Sequence, residues 1–163
     1  MIQLTDRLEL REFRADDLDE LAELVADEEQ MRFYPRPKTR EEASRWIERN
    51  LDLYQELGFG FWLLACRATS AFLGYCGIRP LALDGSPEIE IGWHTKKTSW
   101  GRGIATEAAT AARELAVERF GVERLVAIIH PDHVASRRVA EKIGMRYERM
   151  TVVDGCAVVV YSA

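Results

Sequence analysis

The sequence predicts a mixed α/β fold, with a seven-stranded sheet flanked by about four helices in a single domain over residues 1–163. Three observations support this prediction. Segments of strand and helix periodicity follow one another in the order β-α-α-β-β-β-α-β-α-β-β. An Asp154-Gly155 pair separates two strand-like runs, which is typical of a β-hairpin. A length of 163 residues is also enough to bury one sizeable core.

One strand and two helices are predicted in the first third of the chain. A strand is predicted over residues 7–13, where leucines alternate with charged residues. A helix is predicted from residue 16, because leucines then recur on one helical face. A second helix is predicted from residue 39 to residue 57, because residues 39–42 have the spacing of a capping box.

Six strands and two helices are predicted in the rest of the chain. Residues 80–87, bounded by two prolines, are predicted to form a loop. One helix is expected before Gly121 and another before Gly144, since glycine commonly ends a helix. These helices span residues 103–120 and 135–143, and the strands span residues 59–67, 71–78, 88–95, 125–129, 147–153 and 156–161.

Composition and charge exclude several classes of function. The net charge is −5, so no basic stripe is available for a nucleic acid. Cys66, Cys76 and Cys156 lie far apart and are expected to be reduced, with no metal-binding spacing. No apolar run approaches the roughly 20 residues that span a membrane, and the amino terminus lacks signal-peptide features. We therefore expect a cytoplasmic protein without nucleic-acid or membrane partners.

The segment from Trp100 to Glu107 is the strongest candidate for a binding site. Gly101 and Gly103 bracket Arg102 where an alanine-rich helix is expected to begin. Unpaired N–H groups and the positive end of the helix dipole make such a terminus suitable for a phosphate. A glycine-rich turn without a ligand is the alternative interpretation. A dinucleotide-binding loop is disfavoured because no glycine follows at position 106, and no Gly-Lys-Ser/Thr of a Walker loop occurs.

Several motifs in order resemble those of the GNAT superfamily of N-acetyltransferases, in its RimJ/RimL-like branch. Residues 5–11 look like the branch's opening T-x-R-L-x-L-R, and residues 100–108 are similar to its W-G-x-G-x-A-T-E-A. Further matches are FGFW at 59–62, LGYCG at 73–77, EIGW at 90–93 and ASRRVAEKIGM at 135–145. The resemblance covers nearly the whole chain and implies the GNAT fold.

The resemblance also implies a site for acetyl-coenzyme A. Backbone amides of residues 101–106 would hold the pyrophosphate, and the strand before this loop would splay from its neighbour and pair with pantetheine. Neither role requires a metal, and His130 and His133 have no evident third ligand. The coenzyme-binding residues so predicted are Trp93, His94, Thr95, Trp100, Gly101, Arg102, Gly103, Ile104, Ala105, Thr106, His133 and Ser136.

Two catalytic residues follow from the same resemblance. Glu90 stands where such enzymes often place the carboxylate that accepts the amine proton, and Glu88 is the alternative. The backbone N–H of Ile91 or Gly92 is the candidate oxyanion donor. Many relatives use a helix tyrosine as the general acid, but that position here is Ala140. Ser136 is therefore the candidate that assists departure of the thiolate.

His133 stands where many relatives have asparagine, and its ring can still donate one hydrogen bond. The predicted activity is direct acetyl transfer from acetyl-coenzyme A to a primary amine, either a protein N-terminal amine or a small-molecule amine. The alternative is a non-catalytic acyl-coenzyme A sensor. The sequence identifies no acceptor; the information is expected in residues 30–60, and Phe33, Tyr34, Trp46 and Trp62 come from segments that in this fold line the acceptor cleft. A homodimer is compatible with the β-rich C-terminal half.

Overall fold

A computed structural model describes residues 2–163, which form one mixed sheet with helices on both faces. The sheet order is β1-β2-β3-β4-β5-β6-β8-β7, and all neighbours are antiparallel except β5 and β6. The strands are β1 Gln3–Leu4, β2 Leu8–Arg11, β3 Phe61–Cys66, β4 Phe72–Leu83, β5 Ser86–Thr95, β6 Val126–Ile129, β7 Arg146–Val153 and β8 Cys156–Ser162. The helices are α1 Leu18–Ala26, α2 Arg40–Leu57, α3 Ile104–Glu118 and α4 Val134–Lys142.

The mixed α/β class and the four predicted helices are confirmed, but the described residues contain eight strands rather than seven. The additional strand is β1, whose Gln3 and Leu4 pair with Leu10 and Glu9 of β2. A two-residue strand is too short to show a period-two pattern, which is why periodicity did not reveal it.

The predicted loop over residues 80–87 is wrong. The β4 strand runs on to Leu83, and β5 begins at Ser86, so the two form one long hairpin. Asp84 and Gly85 have φ values of 51° and 80°, the left-handed pair that a tight hairpin turn requires. Pro80 is tolerated because β3 pairs with β4 only as far as Gly77, so the missing N–H interrupts no second ladder.

The hydrophobic core lies on both faces of the sheet. On one face, the small alanines of α3 pack closely against the central strands, where Trp62 and Ile78 are fully buried. On the other face, α1 and α2 cover β3 and β4 through residues such as Leu24 and Ile47. Helices thus cover the central strands of the sheet on both faces.

The strand β5 separates from β6 after a single paired position. It pairs with β4 along its whole length, but with β6 only through Glu90 and Val126. From residue 91 onward, one backbone edge of β5 therefore has no strand partner among the described residues. This is the splay that the sequence analysis expected beside Trp93, His94 and Thr95.

Two further observations concern the whole described chain. No helix within residues 2–163 combines the length and the apolar character needed to cross a membrane. The cysteines are unpaired thiols: Cys76 is buried, and Cys66 and Cys156 are half-buried.

Candidate active site

A cavity of about 380 Å³ opens where β5 splays from β6. We call it the loop cavity, because the segment from Trp100 to Thr106 forms one of its walls. The C-terminal end of β5 and the first turns of α3 and α4 form the others. It is lined by every residue that the sequence predicted for the coenzyme except Arg102: Trp93, His94, Thr95, Trp100, Gly101, Gly103, Ile104, Ala105, Thr106, His133 and Ser136.

The α3 helix begins at the loop cavity without a side-chain cap. Gly103 is its N-cap residue, in the left-handed conformation with φ of 77°, and no side chain accepts from the first-turn amides. Gly101 also has a positive φ, of 70°, and a Cβ added there would meet nothing within 4 Å. The first-turn N–H groups consequently remain available to an anion in the cavity.

The glycine loop is fixed by residues from the opposite end of the sequence. The Glu107 carboxylate accepts hydrogen bonds from the Thr5 hydroxyl at 2.5 Å and from the Arg7 backbone N–H at 2.9 Å. The Arg7 guanidinium binds the same carboxylate at 2.6 Å and donates to the Arg102 carbonyl at 2.8 Å. This explains why the opening motif and the loop motif occur together: Arg7 and Glu107 hold the loop in place.

Trp93 and Ser136 meet at the other end of the loop cavity. The Trp93 indole Nε1–H donates to the Ser136 hydroxyl oxygen at 3.1 Å, which joins β5 to α4 across the splay. Because the serine oxygen accepts this bond, its own O–H proton remains free to donate. Ser136 can therefore donate to a group bound in the cavity.

His133 lies beside Ser136 and caps α4. Its Nδ1 accepts from the Ser136 backbone N–H at 3.4 Å, and its ring stacks on Phe33 at 4.1 Å between ring centroids. Burial, together with the nearby charge of Arg32, lowers the pKa of His133 to about 4. The ring is neutral near pH 7, so His133 adds no cation to the site.

His94 forms a buried wall of the loop cavity. Its ring stacks on Tyr34 at 5.5 Å, and its Nδ1 lies 3.4 Å from the Tyr75 hydroxyl. Its Nε2 is buried without a hydrogen-bond partner among the described residues. Burial lowers the pKa of His94 to about 4, and burial raises the pKa of the Tyr75 phenol well above its usual value. Both groups are thus neutral near pH 7.

Three cations of the loop cavity were missed by the sequence analysis. Arg138 and Lys142 lie four residues apart on α4, and Arg32 packs over the Phe33 and Trp100 rings at 4.8 and 5.6 Å. The i, i+4 spacing of the α4 pair was the only sequence signal, and it is common on solvated helices. The lining also contains Glu29, whose carboxylate pairs with Lys97, so the three cations leave the cavity with a local positive charge in an acidic protein.

A second cavity of about 270 Å³ lies on the other side of the His94 wall. We call it the aromatic cavity, because Tyr34, Trp46 and Tyr75 line it. Tyr34 lines both cavities, so the two share a wall. Of the four aromatic residues expected beside the acceptor cleft, Tyr34 and Trp46 line this cavity and Phe33 lines the loop cavity. Trp62 lines neither, because its side chain points into the core and is fully buried there.

The two candidate carboxylates both form ion pairs. Glu90 Oε2 lies 2.5 Å from Arg79 Nε on the facing strand, and Glu88 lies 3.2 Å from Arg124 Nε. The Glu90 side chain is 12% exposed and lines neither cavity. A proton passing from either cavity to Glu90 would therefore need a bridging water. Within residues 2–163, no group of three His, Cys, Asp or Glu side chains could hold a metal ion.

Comparison with known proteins gives consistent results. The model of a family described as acetyltransferase (GNAT) domain matches residues 7–146. The chain is 33% identical over 147 residues to the uncharacterized protein YkkB of Bacillus subtilis (strain 168), a match covering 90% of this chain and 86% of that protein.

Solved structures show the same fold. An acetyltransferase from Agrobacterium tumefaciens str. C58 superposes with a TM-score of 0.86 at 26% identity, over 99% of this chain and 92% of that one. RimL, a ribosomal L7/L12 alpha-N-protein acetyltransferase in complex with coenzyme A, superposes with a TM-score of 0.79 at 21% identity, over 99% and 96%. At that identity, the RimL match shows the fold alone.

Proposed function

The chain belongs to the GNAT acetyltransferase family, and from this premise we propose that it transfers acetyl from acetyl-coenzyme A to a primary amine. One observation carries the proposal. The loop cavity joins an uncapped helix N-terminus at one end to the Trp93–Ser136 hydrogen bond at the other. The first is suited to a pyrophosphate, and the second is suited to a thiolate.

The residues of the loop cavity fit the coenzyme in charge and shape. The first-turn amides of α3 would bind the pyrophosphate, with Arg32, Arg138 and Lys142 adding positive charge. The unpaired edge of β5 would hydrogen-bond the pantetheine arm as an added strand. The coenzyme A bound in the RimL structure supports acyl-coenzyme A as the donor.

Ser136 would assist the departing sulfur. As the amine attacks the thioester carbonyl, the carbon–sulfur bond breaks and the sulfur leaves as a thiolate. The Ser136 O–H donates to that sulfur, and the Trp93 indole bound to its oxygen fixes the direction of the hydroxyl. The backbone N–H of Ile91 or Gly92 would stabilise the negative carbonyl oxygen in the transition state.

Glu90 would accept the amine proton through a water molecule. An N-terminal α-amine has a pKa of about 7.7–8.0, so removing its proton near neutral pH costs less free energy than for a lysine amine, whose pKa is about 10.4. The ion pair with Arg79 fixes the Glu90 carboxylate. Burial raises the pKa of the Tyr34 and Tyr75 phenols, which line the aromatic cavity, and the negative charge of Glu90 is close enough to help raise the pKa of both. The aromatic cavity would then receive the acceptor, whose amine would reach the thioester beside Tyr34, the residue that lines both cavities.

A thermal-shift measurement followed by a thiol-release assay tests the proposal. Acetyl-coenzyme A at a hundred times its Kd should stabilise the fold by about 2.7 kcal/mol, which raises Tm by roughly 5–10 °C in a domain of this size. ATP and NAD at the same concentration should not raise Tm. Thiol release with an amine panel then separates an enzyme from a sensor, because binding without turnover on any amine would favour the sensor and overturn the proposal.

A further inference from the structure

The aromatic cavity carries an excess of positive charge that the coenzyme does not explain. Lys38, Arg45 and Arg49 line it, and Glu42 is the only acidic side chain among its described lining residues. Their spacing of three or four residues places all four on one face of α2 and the turn before it. This cavity, like the loop cavity, therefore concentrates cations in a chain of net charge −5.

The charge of Glu42 is already neutralised. Its carboxylate binds the Arg36 guanidinium through two hydrogen bonds of 2.7 and 2.9 Å. It also accepts from the Thr39 backbone N–H at 2.8 Å, as part of the capping box that starts α2. These bonds lower the pKa of Glu42 to about 2. The carboxylate is therefore ionised near pH 7, and its negative charge is paired with Arg36.

The three cations of the aromatic cavity have no ion-pair partner among the described residues. Among residues 2–163, no acidic side chain forms an ion pair with Lys38, Arg45 or Arg49. By contrast, Arg40, on the same helix, binds Asp19 at 2.5 Å, and Arg36, just before the helix, binds Glu42 at 2.7 Å. Unpaired cations around a cavity attract and orient an anionic group.

The floor of the aromatic cavity is apolar. Trp46 and Tyr75 pack at 4.8 Å between ring centroids, and Leu21 and Met31 complete the apolar surface. Tyr34 and Tyr75 close the end that faces the loop cavity. A volume of about 270 Å³ suits a body of amino-acid size rather than a large oligosaccharide.

We propose that the acceptor is a small primary amine that carries a carboxylate on an apolar or aromatic body, that is, an amino acid. This inference rests on the proposed acetyl transfer and selects among its acceptors. The amine would point toward the Tyr34 end, the body would lie on Trp46, and the carboxylate would face Arg45 and Arg49. Polyamines and aminoglycosides, which are polycations, would be repelled by the same three cations.

A matched pair of substrates provides the test. L-Phenylalanine and L-phenylalaninamide have the same shape and differ in the negative charge. The amide has the less basic amine, so the chemistry alone favours the amide at neutral pH. We expect kcat/KM to be higher for the acid in the thiol-release assay, with spermidine the poorest substrate. A peptide with an acidic second residue tests the protein N-terminus as the source of the anion.

Substitution of the arginines that line the aromatic cavity tests the same proposal by changing the protein instead of the substrate. The double variant Arg45→Gln/Arg49→Gln should raise KM for phenylalanine roughly fivefold, as expected for two partly exposed ion pairs. Its KM for phenylalaninamide and its KM for acetyl-coenzyme A should not change. Arg40→Gln is the matched control, because Arg40 lies on the same helix but does not line the cavity.

Each outcome has a definite meaning. A preference for the amide, for spermidine or for the peptide would overturn the amino-acid proposal while leaving acetyl transfer intact. An equal rise in KM for acid and amide in the double variant would also overturn it. Acetyl-coenzyme A binding without acetylation of any amine would instead overturn the proposed transferase function, and this inference with it.

Discussion

Ser136→Ala tests the chemistry at the reacting sulfur. The substitution removes the hydroxyl that accepts from the Trp93 indole at 3.1 Å and that would donate to the thiolate. The backbone N–H of Ser136, which binds His133 Nδ1, is retained, so the α4 cap should survive. The variant therefore removes one hydroxyl group and leaves the helix start in place.

Two separate effects are expected, with different magnitudes. Loss of the half-buried Trp93–Ser136 bond should lower the free energy of unfolding by about 0.5–1.5 kcal/mol. In a domain of this size, that corresponds to a fall in Tm of roughly 1–6 °C. Loss of a hydrogen bond to a developing thiolate should raise the activation free energy by about 1.5–3 kcal/mol, which is roughly a 10- to 150-fold fall in kcat.

Thiol release at saturating substrates measures kcat, and thermal unfolding measures stability. Ser136→Thr keeps the hydroxyl and should retain most of the activity, which separates loss of the donor from loss of packing. The KM for acetyl-coenzyme A should change little in either variant, because the anion site lies at the other end of the loop cavity. A kcat for Ser136→Ala equal to that of the wild type would refute the assignment.

Three further predictions concern other parts of the site. Glu90→Gln should lower turnover more at neutral pH than at about pH 9, and an unchanged pH–rate profile would remove Glu90 from the mechanism. Glu107→Gln removes the charge that binds Arg7 and should raise the Kd for acetyl-coenzyme A roughly tenfold, since the loop loses about 1–2 kcal/mol of support; calorimetry would disprove this if Kd stayed constant. Burial lowers the pKa of His94 from 6.5 to about 4. As the pH falls, the unfolded chain therefore protonates this imidazole at a higher pH than the folded chain does. The free energy of unfolding should then fall as pH drops from about 6.5 toward 4, and His94→Asn should flatten that dependence in thermal unfolding.

Much of the fold could be predicted from the sequence because the long elements have clear periods and caps. The capping box at residues 39–42 and the hairpin at Asp154-Gly155 are both present in the structure. The hairpin at Asp84-Gly85 has the same turn residues and the same left-handed φ values. It was missed because prolines at positions 80 and 87 suggested a loop, whereas a strand edge without a second partner accepts proline.

The candidate site likewise has parts that could be predicted from the sequence and parts that could not. The residues around the glycine loop are contiguous in sequence, so their motif predicted most of the loop cavity. The Arg7–Glu107 ion pair joins residues a hundred positions apart, and no local pattern reveals it. The cations of the aromatic cavity had the spacing of an ordinary solvated helix face, and only the positions of Trp46 and Tyr75 show that they surround a cavity.

The central claim is that the loop cavity binds acetyl-coenzyme A through the start of α3. Isothermal titration of acetyl-coenzyme A into Gly103→Trp measures it directly, with Gly155→Trp as the control, because both glycines have a φ of 77° and Gly155 lies in a distant hairpin turn. Circular dichroism should show both variants folded. The account predicts wild-type affinity for Gly155→Trp and at least a hundredfold loss, about 2.7 kcal/mol, for Gly103→Trp. Undiminished affinity in a folded Gly103→Trp would contradict it.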